Sequence, residues 1–293
     1  MSKPKIISIL GPTATNKTSL AIKLANDLNG EIINADAFQI YKELNIGVNK
    51  PTFCQLAKAK FHLVGEISLF DEWDIKKFQD KTNKIIEEIL KRKRLPIICG
   101  GSSLYVDALI QNYDLSMPKR SNKFENLSTD ELYKELSKYS IEEARKNKNN
   151  HKRLARALEI YSTSNLDAPM KQKKNPKYEY KVILTNCVSR EELYKKINNR
   201  VDQMIEHGWL NEVKQLLKIK NIELTNGFKA IGYKDIATAI KTKTAINTDK
   251  IKQNTRRYAK RQITWIKNHY DDFLLYDQNN YSNLLKQIKL WIK

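Results

Sequence analysis

A short apolar run from Lys5 to Leu10 leads directly into GPTATNKT at residues 11–18, and helical periodicity begins there. A strand that turns into a helix through G-x-x-x-x-G-K-[ST] is tightly constrained. Backbone N–H groups of the loop turn inward to surround phosphate oxygens, and the loop must sit between a buried strand and a helix N-terminus. Gly11, Lys17 and Thr18 fit that pattern, whereas Asn16 stands at the second glycine position. Asn is among the few residues other than Gly that enter the left-handed region at modest cost, so Asn16 is compatible with the turn. The eight residues Gly11, Pro12, Thr13, Ala14, Thr15, Asn16, Lys17 and Thr18 are expected to cradle phosphate. Lys17 would bridge the outer oxygens and the Thr18 hydroxyl would bind Mg²⁺.

The pattern beyond the loop extends this into a fold. Leu20, Ala21, Leu24, Ala25 and Leu28 recur at helical spacing over 17–28, and Asn29-Gly30 stops that helix. Residues 31–35 read as a second strand ending before Asp36, residues 75–90 as an amphipathic helix, and Leu95 to Cys99 as a third strand closed by Gly100-Gly101. Alternating strand and helix predicts an α/β fold: a P-loop-type parallel sheet flanked by helices. Composition changes near Tyr113. From there to Tyr178 the chain is polar and rich in Lys and Asn, with Pro118 at one end and Pro169 and Pro176 at the other. Residues 113–178 are therefore expected to form a helical insertion domain in a core made of 1–112 and 179–293. A strand over 180–188 and helices over 189–206, 209–220 and 248–268 complete the expectation.

Charge is the second constraint. The 293 residues carry a formal net charge of +20, which points to a polyanionic partner. Lys outnumbers Arg 42 to 11, a bias that an AT-rich genome also produces, so distribution decides. Residues 1–50 have a net charge of +2, whereas 250–293 have +7, away from the phosphate loop. Lys252, Arg256 and Lys260 form an i, i+4, i+8 row beside Arg257 and Arg261, with Ile251, Tyr258 and Trp265 on an inward stripe. The KRLAR segment reads alike, with Leu154 and Leu158 inward and Lys152, Arg153 and Arg156 outward. Cys54, Cys99 and Cys187 form no C-x-x-C, which favours reduced thiols and a cytoplasmic location. The four histidines have no metal-ligand spacing. No segment is long and apolar enough to span a membrane, and the N-terminus does not read as a signal peptide.

A nucleotide hydrolase wants an Mg²⁺-holding Asp at the end of a core strand, but Leu95 to Cys99 ends in Gly-Gly-Ser-Ser. The acid at a strand end is Asp36. In an open α/β sheet that end faces the ligand crevice, so Asp36 is placed to meet a substrate. The alternative is N-capping of a helix over 37–41.

Seven blocks in order, GPTATNKT, NADAFQIYKELNIGVNKPT, GGSSLYVDAL, KRLARALEIY, SREELYKKINNRVDQMIEHG, AIGYKDI and KRQITWIK, resemble the tRNA dimethylallyltransferases, or isopentenyl transferases. They span roughly residues 5–267. The resemblance implies transfer of a dimethylallyl group from dimethylallyl diphosphate to N6 of the adenosine 3′ of the anticodon, by a chain acting as a monomer. By resemblance, residues 11–18 hold the donor diphosphate with Arg200 and Mg²⁺. Asp36, Ala37, Phe38 and Gln39 meet the adenine. Ser102 stands where the family usually has Thr. Lys152, Arg153, Leu154, Ala155 and Arg156, then Lys229, Gly232, Tyr233 and Lys234, touch the anticodon stem-loop, as do Arg256, Lys260 and Arg261 on the basic helix. Lys17, Thr18 and Asp36 would carry the chemistry. The chain departs from the family's SGKT, ADSMQ and GTAKPT, reading TNKT, ADAFQ and GVNKPT, and KNKNNHK replaces the HPND signature. An ATP-dependent small-molecule kinase and a non-catalytic RNA-binding relative remain alternatives on the residues alone.

Overall fold

Ile6, Ile7, Ile9 and Leu10 are fully buried, because this strand is covered on both faces. Ile6 and Leu10 point into one apolar cluster and Ile7 and Ile9 into another. That two-sided burial is why the run is continuous rather than alternating. The computed structural model describes residues 3–115, 121, 123–163, 175–185, 189–276 and 280–293.

In chain order the main elements are β1 (Lys5–Leu10), α1 (Lys17–Asp27), β2 (Gly30–Asn34), α2 (Phe53–Leu56), β3 (Phe61–His62), α3 (Ile75–Lys91), β4 (Leu95–Cys99), α4 (Ser103–Ile110), α5 (Thr129–Ser137), α6 (Ile141–Asn147), α7 (His151–Thr163), β5 (Glu179–Thr185), α8 (Arg190–Glu206), α9 (Trp209–Leu216), α10 (Tyr233–Thr242), α11 (Thr248–His269), β6 (Leu274–Tyr276) and α12 (Tyr281–Ile292). All six strands are parallel, in the order β3-β2-β4-β1-β5-β6. Helices α1 and α12 cover one face, while side chains of α3, α4 and α8 to α11 join the cluster on the other. After β1 the chain moves to the β2 side, and after β4 it moves across to β5. Ligands bind such sheets beyond the carboxyl ends of the strands, where the winding reverses.

The chain divides into two compact units, one formed by 1–110 with 177–293 and the other by 111–176. The sequence placed these borders at 112/113 and 178/179. The second unit has its own apolar cluster of Leu132, Leu136, Ala144, Leu154, Ala155, Ala157 and Leu158. Pro118, Pro169, Cys187 and the end of the strand expected over 180–188 lie outside the described residues.

Two expected helices differ. Helix α9 stops at Leu216 instead of continuing to residue 220, and Asn221 beyond it is left-handed at φ 61°. Residues 37–40 form a turn rather than a helix. Asp36 still caps that turn: its Oδ1 accepts from the N–H groups of Phe38 at 2.9 Å and Gln39 at 3.3 Å. Among the described residues no helix is long and apolar enough to cross a membrane.

The amino end of β2 holds a charge cluster that the hydrophobic pattern conceals. The Glu31 side chain is fully buried, yet it accepts two bonds from Arg92, at 3.0 and 2.8 Å, and meets His62 Nε2 at 2.7 Å. Lys60 and Arg94 stand at 3.5 Å. Burial alone would raise the Glu31 pKa. The bonds from Arg92 and His62 and the charge of Lys60 outweigh it and hold the group at about 2. Its stabilisation is therefore complete above the ordinary value of 4.5 and is lost as pH falls toward 2. Glu31→Gln should lower the unfolding free energy by about 2 kcal/mol at pH 7. That is less than for a sealed pair, because Arg92, Arg94 and Lys60 can turn to solvent. Urea unfolding of both proteins should show that difference shrinking between pH 4.5 and 2; a gap constant across this window would disprove the electrostatic origin.

Candidate active site

The carboxyl ends of four strands converge on one crevice. Gly11 follows β1, Asp36 follows β2, Gly100-Gly101 follows β4, and Thr185 ends β5. The loop after β1 takes the shape its motif requires, and on residues that are not glycine. Asn16 is left-handed (φ 57°, ψ 29°) at the N-cap of α1, as its side chain permits. Ala14 is also left-handed, at φ 67°, which costs an Ala roughly 1–2 kcal/mol. The loop is braced against that cost. Ala14 is buried in a cluster with Leu193 and Ile197 of α8 and Ala259 of α11. Thr15 Oγ1 donates to the Pro12 carbonyl at 2.8 Å and pairs with Thr185 Oγ1 at 2.6 Å. A Cβ on Gly11 would overlap Thr185, which is why this position needs Gly.

Two cations face the crevice with no carboxylate partner. Among the described residues Lys17 Nζ donates only to the carbonyls of Gly11 and Pro12, at 3.0 and 2.7 Å. Burial pushes its pKa down to about 8. Arg200 on α8 donates to Thr13 Oγ1 at 3.2 Å, and burial lowers its pKa as well. Among the described residues neither forms an ion pair. A cation taken out of water is expensive unless an anion meets it, so the arrangement is complementary to an anionic ligand.

Asp36 has two different oxygens. Oδ1 is occupied by the turn N–H groups, while Oδ2 lies toward Gly101, 3.8 Å from where a Cβ there would stand. Burial raises the carboxyl pKa, with the N–H groups of Phe38 and Gln39 and the charge of Lys17 pulling the other way. The neighbouring Cys99 thiol is pushed up to about 12 by burial, so it stays protonated and weakly nucleophilic. Ser102 Oγ accepts from the Ala37 N–H at 3.0 Å, which ties the Asp36 turn to the β4 end. Gln39 Nε2 is spent on the carbonyls of Val48 and Asn49, both at 3.0 Å.

The crevice has two compartments within the first unit. One, of about 140 Å³, is lined by residues 13–19 of the phosphate loop with Asp36, Cys99, Arg200, Tyr258 and Gln262. The other, of about 310 Å³, is more apolar, with Phe38, Val48, Met204, Trp209 and Ile231, and has Lys229 and Arg261 on its wall. Thr13, Asp36, Val48, Asn49, Arg200 and Tyr258 line both.

Several residues expected at an RNA surface are interior. Leu154 and Ala155 are buried in the apolar cluster of the second unit. Arg156 is 17% exposed and paired with Glu159 at 3.0 Å. Lys152 and Arg153 alone in that block are exposed. Tyr233 is fully buried, and its hydroxyl donates to Glu212 at 2.6 Å. Gly232 is left-handed at φ 91° and packs so closely on Trp209 that a Cβ would overlap the indole. Both residues brace the apolar compartment, while Lys229 and Lys234 remain exposed. On α11, Lys252 is drawn into an ion pair with Asp202 at 2.6 Å, and Arg256 is half-buried, donating to Asn198 at 2.7 Å. Of the basic residues grouped over 252–261, Arg257, Lys260 and Arg261 are exposed. Gln262 and Glu212 are contributors that periodicity did not reveal. Glu212 accepts from the N–H groups of Asn45 and Ile46, at 3.0 and 2.8 Å, and holds that loop against α9. Gln262 lies inside the KRQITWIK block but has no charge or spacing to mark it.

Comparison with known proteins identifies the family of the chain. The family model described as IPP transferase matches residues 39–269. The tRNA dimethylallyltransferase of Malacoplasma penetrans is 41% identical over 99% of this chain and 98% of its own. That of Caldanaerobacter subterraneus is 36% identical over 97% and 96%. Among solved structures, the tRNA isopentenylpyrophosphate transferase of Bacillus halodurans superposes with a TM-score of 0.73 at 30% identity, covering 99% of this chain and 96% of that one. A eukaryotic dimethylallyltransferase acting on tRNA gives 0.76 at 28% identity, over 90% of this chain and 70% of that chain. Neither the kinase nor the non-catalytic alternative finds support among these relatives. The chain belongs to the IPP transferase family, that of the tRNA dimethylallyltransferases.

Proposed function

We propose that the chain transfers a dimethylallyl group from dimethylallyl diphosphate to N6 of the adenosine 3′-adjacent to the anticodon in tRNA. One observation carries this reading. The cation-lined compartment and the apolar compartment share Asp36 and Arg200, so a diphosphate held on one side and a base entering from the other meet at one carboxylate. On this reading the chain acts as a monomer.

In the reaction the C–O bond to the diphosphate breaks with its electron pair leaving on oxygen, and the allylic carbon bonds to N6. The N6 proton passes to Asp36 Oδ2. Loop N–H groups, Lys17 and Arg200 oppose the charge growing on the leaving group. A carboxyl whose pKa is raised by burial is a better proton acceptor than an exposed one. Among the described residues no cluster of three or more His, Cys, Asp or Glu could bind a metal by itself. Mg²⁺, an ion often bound through few protein ligands together with substrate phosphates, would be held on the protein side by the Thr18 hydroxyl. It would supply further charge neutralisation at the diphosphate. Lys152, Arg153, Lys229, Lys234, Arg257, Lys260 and Arg261 are the exposed cations proposed to meet RNA phosphates.

Mass spectrometry of tRNA nucleosides after incubation with donor and Mg²⁺ tests the activity, and N6-isopentenyladenosine is the expected product. Three further outcomes follow from the site. Asp36→Asn keeps the acceptor for the turn but removes the base, so single-turnover transfer should slow by about 10²–10⁴-fold with tRNA affinity and melting temperature intact. Near-normal transfer would take Asp36 out of the mechanism. Second, kcat/KM for the donor should fall as pH rises through about 8, where Lys17 loses its proton, and Lys17→Arg should move that limb upward. A limb at the same pH in the variant would assign it to another group. Third, replacing Arg257, Lys260 and Arg261 with Gln should weaken tRNA binding. The slope of log K against log salt should shrink by roughly 0.7–0.9 for each phosphate that is no longer neutralised. An unaltered slope would place the RNA elsewhere.

A further inference from the structure

Helix α11 carries basic residues on its exposed face, yet its most buried polar side chain points the other way. Gln262 is 4% exposed. Its Oε1 accepts from the Thr13 N–H of the phosphate loop at 2.9 Å, and its Nε2 donates to the Gly101 carbonyl at 2.8 Å. Gly101 leaves room for this: a Cβ there would stand 2.6 Å from Gln262 Nε2. One turn earlier the Tyr258 hydroxyl donates to the same carbonyl at 3.2 Å. Ala259, also on α11, packs in the cluster that encloses Ala14. Helix α11 thus touches the phosphate loop twice, once through a hydrogen bond at Thr13 and once through packing at Ala14.

The loop needs such support. Its left-handed positions at 14 and 16 are held by Ala and Asn, not Gly. Without an outside brace the segment relaxes toward conformations with negative φ, and its N–H groups no longer converge.

We propose that Gln262 is a positioning residue that holds the phosphate loop in its ligand-receiving shape, substituting for the glycine this loop lacks. The inference rests on the diphosphate reading of the loop. Gln262 touches backbone on both sides and no reacting atom, so its loss acts on donor binding and not on the chemical step.

The experiment measures the affinity of inorganic pyrophosphate by calorimetry, together with donor KM, kcat and tRNA affinity, on the full chain. Gln262→Met should bind pyrophosphate about tenfold more weakly, the effect of losing a hydrogen bond that fixes the loop. Donor KM should rise in proportion, with kcat at saturating donor and tRNA affinity unchanged. Ala14→Gly relieves the left-handed strain and should therefore recover part of the affinity in the Gln262→Met background. A purely structural role for Gln262 gives no such recovery. If Gln262→Met does not fold, the isosteric Gln262→Glu replaces it. This variant cannot donate to Gly101 and sets a negative charge beside the loop, so it too should weaken pyrophosphate binding. Equal pyrophosphate affinity in the wild type and a folded variant overturns the positioning role alone. A wild type that does not bind pyrophosphate overturns the cradle, and this inference with it.

Discussion

Everything in the crevice is arranged around two positive charges that the protein itself does not neutralise. Lys17 and Arg200 lie half-buried without a carboxylate partner among the described residues, and Asp36, whose charge reaches Lys17, is held by backbone instead. Had Asp36 paired with Lys17, its pKa would fall and it would lose its worth as a proton acceptor. Instead each is pinned by backbone: Lys17 on the carbonyls of Gly11 and Pro12, Asp36 on the N–H groups of Phe38 and Gln39. In the proposed reaction, the separation would give one small site both a cation facing the leaving group and a carboxylate facing the nucleophile.

The second compartment is built from parts that are far apart in the chain. Glu212 holds the Asn45–Gly47 backbone, and Trp209 packs where Gly47 and Gly232 lack side chains. These contacts explain glycines in two motifs that otherwise read as RNA-binding. The same motifs contribute both wall and rim. Tyr233 packs against Trp209 of the wall, and Lys229 and Lys234 are exposed.

Much of this was legible in the sequence, because hydrophobic period and loop chemistry are local properties. The strands at Lys5–Leu10 and Leu95–Cys99 emerge with the bounds their apolar runs indicate, and Asn16 has the left-handed backbone its side chain tolerates. What escaped depends on direction and distance. Helical spacing marks Leu154 as inward but says nothing of Ala155 beside it. It marks Arg156 as outward without foreseeing Glu159 three residues on. Gln262 meets Thr13 across 249 positions, and neither residue carries any mark of the other. Glu31 sits in an apolar strand pattern that gives no hint of four basic side chains gathered around it.

The strand order has a consequence for how the chain is made. Strand β1 is central, and one of its edges is closed by β5, with Lys5 aligned to Glu179 and Leu10 to Leu184. Strand β1 and the phosphate loop that follows it therefore emerge well before β5, which is made only after the whole 111–176 unit. At about 5–20 residues per second that interval is on the order of 10–35 s. Throughout it β1 has an unpaired edge, so the crevice can close only late in synthesis. The second unit, whose apolar cluster is drawn from a continuous stretch of chain, has no such wait.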